Sequence, residues 1–206
     1  MKQIMVVGCG PGSPEYVTPA ARRAVGGAEL LVGSARLHDL FPESRAERIF
    51  VSADISSVLD EMASRMAGKK VAVMVTGDPG LCSLARPVIK RFGLERCGVV
   101  PGISSVQMAF AALGVEWGGA RIISAHERLP DLCAGDLCSE NAGAILMGGA
   151  ESRAWVAELF EQMSGTHDFW VCENMSLYDE RVYAFDADNA GAVCGRSVVV
   201  FRRREK

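Results

Sequence analysis

Three short stretches of this 206-residue chain combine residue types that suit a ligand: Gly8-Cys9-Gly10-Pro11-Gly12, Thr76-Gly77-Asp78-Pro79-Gly80 and Pro101-Gly102-Ile103-Ser104-Ser105. Glycine reaches backbone angles closed to other residues, and proline stiffens a bend while removing a donor, so each stretch is a rigid turn. The second carries a carboxylate, Asp78, that serves either a bound ligand or its own turn. The third ends in two hydroxyls at a helix start, where serine caps the helix and where unpaired backbone amides also meet ligands. Further on, a histidine, His126, stands within Ser124-Ala125-His126-Glu127-Arg128. Such a group suits proton transfer, or is a hydrogen-bonded histidine at a strand end.

The usual phosphate signatures are not met. Ser13 stands where a dinucleotide fingerprint needs its third glycine, and Pro11 removes an amide that would face a pyrophosphate. No lysine follows in the manner of G-x-x-x-x-G-K, which excludes a nucleoside-triphosphate loop of that type.

These turns need elements to hold them. The unbroken apolar run at 71–75 predicts a strand buried on both faces of a parallel sheet, with the Gly77-Asp78-Pro79-Gly80 turn at its carboxyl end. In open α/β sheets that end is where ligands sit. Residues 4–7 form a second such strand, and Thr18-Pro19 reads as cap and first position of a helix over 20–26. A strand at 30–32 follows, then His38 as a surface or capping residue. Apolar positions 55, 58, 59, 62, 63 and 66 fit the helical period, and residues 84–92 form another helix. A strand at 99–100 leads to a helix over 106–113. After a linker at 115–119 the chain restarts with strands at 121–128, 143–147, 169–172, 181–185 and 197–201 and a helix over 152–163. The last strand is continuously apolar, which places it centrally in its sheet.

The expectation is therefore an α/β protein of two domains: residues 1–115 with a mostly parallel sheet and flanking helices, and residues 116–206 as a smaller mixed α/β domain. An apolar content of 49% and a net charge of −3 describe an ordinary globular chain, not one that grips phosphate backbones. The basic run Arg202-Arg203-Arg204 directly follows a strand and reads as a solvated tail. No nucleic acid and no membrane are expected as partners, since no apolar run approaches the roughly 18 residues of a span. Residues 3–7 read as a short strand ended by glycine, not as a secretory signal. Seven cysteines without a C-x-x-C pair fit reduced thiols in a cytoplasmic protein, with no metal site expected.

The three turns, in this order and at these separations, followed by Ile145-Leu146-Met147 and Glu173-Asn174, resemble the tetrapyrrole methylase family of two-domain α/β methyltransferases. The resemblance spans nearly the whole chain. Within the family, residues 77–85, Pro101 to Gln107, and Trp117 ahead of residues 124–128 are most similar to the branch of precorrin-7 and cobalt-precorrin-7 carbon-5 methyltransferases of cobalamin biosynthesis. Two positions depart from that branch: Cys82 stands where an aromatic residue is expected, and Ala125-His126-Glu127 replaces Leu-His-Gly.

The resemblance implies S-adenosylmethionine as cofactor, S-adenosylhomocysteine as product, and a cofactor cleft between the two domains. It implies cofactor contacts from Pro11, Thr76, Gly77, Asp78, Leu81, Ser104, Ser105, Met147 and Met175. Asp78 and His126 become the candidate catalytic pair, one orienting and one assisting proton loss. A polycarboxylate macrocycle as substrate needs cations, for which Arg36 and Arg128 are the candidates. A homodimer, and a separate CbiT-type chain for methylation and decarboxylation at carbon 15, are implied as partners. Another family member acting on a different precorrin, RNA or protein keeps the same turns; a nucleotide-binding oxidoreductase or a non-catalytic binding module keeps the fold class but not the cofactor.

Overall fold

The computed structural model describes residues 2–205, which fold as two units divided between Ser104 and Ser105. In the first, five parallel strands are ordered β3-β2-β4-β1-β5: β1 (Ile4–Gly8), β2 (Leu30–Gly33), β3 (Glu47–Phe50), β4 (Val71–Val75) and β5 (Cys97–Val100). The continuous apolar run of β4 is explained by its place at the centre, where all five residues are buried. Edge strand β3 buries only Ile49 fully, and its charged flanks Glu47 and Arg48 hid it from a reading by apolar pattern.

Helices α1 (Pro19–Gly26) and α2 (Ala35–Asp39) cover one face of the sheet through Ala21, Val25 and Leu37; α3 (Ile55–Arg65) and α4 (Ala85–Phe92) cover the other through Val58, Met62, Val88 and Phe92. Thr18 caps α1 as expected, its Oγ1 accepting from the Ala21 amide at 3.1 Å, with Pro19 in the first turn. The neighbouring strands β1 and β4 therefore send their following helices to opposite faces. Their carboxyl ends form the topological switch point of the sheet, the place where ligands sit in open α/β sheets.

The second unit holds α5 (Ser105–Leu113) and a mixed sheet ordered β6-β7-β10-β8-β9: β6 (Arg121–Ser124), β7 (Ala142–Leu146), β8 (His167–Glu173), β9 (Arg181–Ala184) and β10 (Ser197–Arg203). Only β6 and β7 are parallel. Strand β10 is central and buried from Ser197 to Phe201, as its apolar run requires. Helices α6 (Ala134–Leu137) and α7 (Ala150–Met163) complete the unit, with Trp155, Val156, Leu159 and Met163 of α7 in its core. Strand β6 ends at Ser124, four residues short of the expected 128. The sequence boundary at 115/116 follows α5, whereas the units divide just before that helix, which packs with β10.

Candidate functional site

The three turns converge at the switch point of the first sheet. The β1 turn and the β4 turn are bridged by the Gly77 amide, which donates to the Gly10 carbonyl at 2.8 Å, and the Cys9 amide donates to Val75 at 2.9 Å. The third turn, after β5, is in backbone contact with both. A Cβ on Gly8 would lie 2.6 Å from the Gly102 nitrogen and 2.7 Å from the Gly77 carbonyl oxygen; one on Gly102 would lie 2.3 Å from that same oxygen. No other residue fits at 8 or 102 without moving main chain. Gly77 itself holds a φ of +71°, which reverses the chain at the end of β4.

Asp78 locks this junction. Its Oδ1 accepts from the Gly80 amide at 2.7 Å, closing the turn, and its Oδ2 accepts from the Gly102 amide at 3.0 Å, reaching across to the third turn. Of the two roles weighed for this carboxylate the turn role is present, and the same group also fixes the turn 24 residues away. It is also the only ionised side chain in residues 8–12, 76–81 and 101–105. Around it, Pro11, Gly77 and Ser104 are buried, Leu81 is half-buried and Thr76 is exposed. Arg36, from α2, donates to the Thr76 hydroxyl at 3.4 Å, which brings one candidate substrate contact to a candidate cofactor contact. Cys9 takes no chemical part: burial pushes its thiol up to about 12, so it remains a packed, neutral group.

The second unit gathers its candidates at one end of its sheet. Strands β6, β7 and β8 run in the same direction, so their carboxyl ends, followed by His126, Met147 and Met175, lie at the same edge. The His126 imidazole is exposed and its Nδ1 lies 2.9 Å from the Met147 carbonyl oxygen. A carbonyl only accepts, so Nδ1 carries the proton and Nε2 is the atom able to take one. Arg128 is exposed in the segment after β6, and Ser105 is the first residue of α5. Met147 and Met175, at 2% and 4% exposure, are packed within their own unit.

Sequence reading missed the group that organises this end. Glu173, at 0% exposure, accepts from the Tyr183 hydroxyl at 3.0 Å, the Cys194 amide at 2.9 Å and the Arg181 guanidinium at 2.5 Å. Burial opposes its ionisation, but these donors outweigh burial and hold the carboxyl below its ordinary value. Burial and the neighbouring carboxylate push the Tyr183 hydroxyl up to about 12. A Glu at the end of an apolar strand was the available signal. His38, expected at the surface, is 1% exposed, with Nε2 3.2 Å from the Ile49 carbonyl oxygen. Among the described residues no cluster of His, Cys, Asp and Glu is arranged to hold a metal, and no helix is long and apolar enough to cross a membrane.

Fold and site together define a two-unit α/β protein built on a glycine-turn junction. The chain belongs to the tetrapyrrole (corrin/porphyrin) methylase family, whose sequence profile matches residues 3–190. It is thereby a C-methyltransferase that uses S-adenosylmethionine. It is 29% identical over 181 residues to the cobalt-precorrin-7 C(5)-methyltransferase of Salmonella typhimurium, covering 87% of this chain and 89% of that protein. A protein of Methanocaldococcus jannaschii named probable cobalt-precorrin-7 C(5)-methyltransferase is 35% identical over 127 residues, 60% of each chain. In fold the chain is similar to the precorrin-6Y methylase of Archaeoglobus fulgidus, with a TM-score of 0.75 at 23% identity over 99% of both chains. It is also similar to the uroporphyrin-III C-methyltransferase of Thermus thermophilus solved with S-adenosylhomocysteine, with a TM-score of 0.74 at 20% identity over 97% of both.

Proposed function

We propose that this protein methylates carbon 5 of precorrin-7 or of its cobalt complex in cobalamin biosynthesis. The observation that carries this reading is the extent of likeness: at the same 29% identity, similarity to the Salmonella typhimurium carbon-5 enzyme spans 181 residues, and to the cobalt-precorrin-4 C(11)-methyltransferase of Methanocaldococcus jannaschii only 124. The junction residues fit the cofactor. Among the turn residues the sole ionised group is the Asp78 carboxylate, which favours a sulfonium cation, and the junction presents the Thr76 hydroxyl and half-buried Leu81 to solvent. Bound there, S-adenosylmethionine supplies an already activated methyl group, so little covalent help is asked of the protein.

What the chain supplies is alignment and proton handling. Thr76, Gly77, Leu81 and Ser104 hold the cofactor on a scaffold that Asp78 keeps from flexing, and a preset reacting geometry is worth several kcal/mol. Arg36 and Arg128 take carboxylates of the macrocycle. His126, its Nδ1–H committed to the Met147 carbonyl, accepts on Nε2 the proton lost after methylation. The test is methyl transfer from labelled S-adenosylmethionine to precorrin-7, cobalt-precorrin-7 and cobalt-precorrin-4, with the product's methyl position fixed by NMR. Labelling at carbon 5 of either precorrin-7 form is the expected result; labelling of cobalt-precorrin-4 alone, or of neither precorrin-7 form, would overturn it.

A further inference from the structure

We infer that Phe50 is a stacking platform for the flat macrocycle, a substrate-specificity residue at the same sheet end as the cofactor turns. The inference rests on the functional reading above. Phe50 is the last residue of edge strand β3, and it is 56% exposed although it is a large apolar group. Strand alternation accounts for its direction: Ile49 enters the core beneath α3 and α4, so Phe50 points to the α2 side. There its ring meets the His38 imidazole at a centroid distance of 4.6 Å and an angle of 55°. His38 is in turn buried and held by Ile49, the residue beside Phe50. An exposed aromatic braced from behind by a buried ring presents its outer surface in a fixed orientation.

Its position suits the substrate class. All five strands are parallel, so Phe50 sits at the carboxyl edge with Thr76 and the three turns; in the order β3-β2-β4 it stands two strand spacings from the end of β4, about 10 Å. Between them, α2 follows β2 and carries both His38, which braces the ring, and Arg36, which reaches Thr76. An apolar face and a cation at the same sheet edge match a conjugated ring bearing carboxylates at its rim, where the ring stacks and a carboxylate pairs.

The test compares wild type, Phe50→Ala and Phe50→Tyr in the methyl-transfer assay, using whichever of precorrin-7 and cobalt-precorrin-7 the wild type methylates, with S-adenosylhomocysteine affinity measured by calorimetry. The expected result is a KM for the macrocycle raised about five- to tenfold in Phe50→Ala, near wild type in Phe50→Tyr, with S-adenosylhomocysteine affinity unchanged in both. An unchanged macrocycle KM in an otherwise active Phe50→Ala enzyme would overturn the inference and leave the carbon-5 reading standing. Equal weakening of S-adenosylhomocysteine would also overturn it, since the ring would then act through the fold. Wild-type protein that methylates neither macrocycle would overturn both.

Discussion

The two units build the carboxyl ends of their sheets in opposite ways. In the first, the junction is made by removing side chains: Gly8, Gly77 and Gly102 let three main-chain segments touch, and one carboxylate, Asp78, ties two of them together. In the second, the corresponding sheet end is organised by side chains, with buried Glu173 drawing in Arg181, Tyr183 and the Cys194 amide, and with His126 fixed on the Met147 carbonyl. Backbone scaffolds tolerate almost no substitution but need little electrostatic balance. Side-chain scaffolds tolerate isosteres yet depend on ionisation. The contrast makes distinct demands on experiment.

The largest expected effect is on the first unit. Gly102→Ala drives a Cβ into the Gly77 carbonyl, so S-adenosylhomocysteine affinity falls at least about a hundredfold and stability by about 1–3 kcal/mol. Calorimetry and thermal melting check this, and retained affinity would erase the contrast. In the second unit, Glu173→Gln keeps the shape but loses the charge, at a cost of about 2 kcal/mol. The three tryptophans, Trp117, Trp155 and Trp170, all belong to that unit, so the urea midpoint followed by tryptophan fluorescence reads it directly. Smaller still, Arg36→Ala raises the macrocycle KM by roughly two- to fivefold with little change in kcat, and Arg36→Lys recovers part of it.

The smallest effect separates the units by pH. His38 in the first unit is held below its usual 6.5, chiefly by burial, so the folded state resists its protonation and loses stability as pH falls below 6.5, levelling off beneath the folded value. Glu173 is held below its usual 4.5, so the stability it contributes persists down to that pH and fades only as pH falls through the lower folded value. Acid should therefore weaken the first unit before the second. Hydrogen exchange between pH 7 and 4 tests the order, and His38→Gln should remove the early loss.

The same contrast explains what could be read in advance. Glycine turns at strand ends announce themselves in sequence, and the runs 71–75 and 197–201 disclosed which strands are central. The clamp from Asp78 to Gly102 is a tertiary relation that no local pattern carries, although the two turns themselves were visible. Strand β3 was missed because an edge strand with one fully buried residue has no apolar signature, and α6 because four residues are too few for a period. Glu173 was noted only as part of a motif, since nothing in one sequence says that a carboxylate at a strand end is wholly buried. His38 was misplaced for the mirror reason, as a histidine among polar neighbours whose ring packs against Phe50.

The most direct test of the central claim is a crystal structure of the protein with S-adenosylhomocysteine. The account predicts the nucleoside lying against Thr76–Leu81 and the Pro101–Ser104 turn, with Asp78 still bonded to the Gly80 and Gly102 amides. The ligand seated elsewhere, with those turns bare, would contradict it.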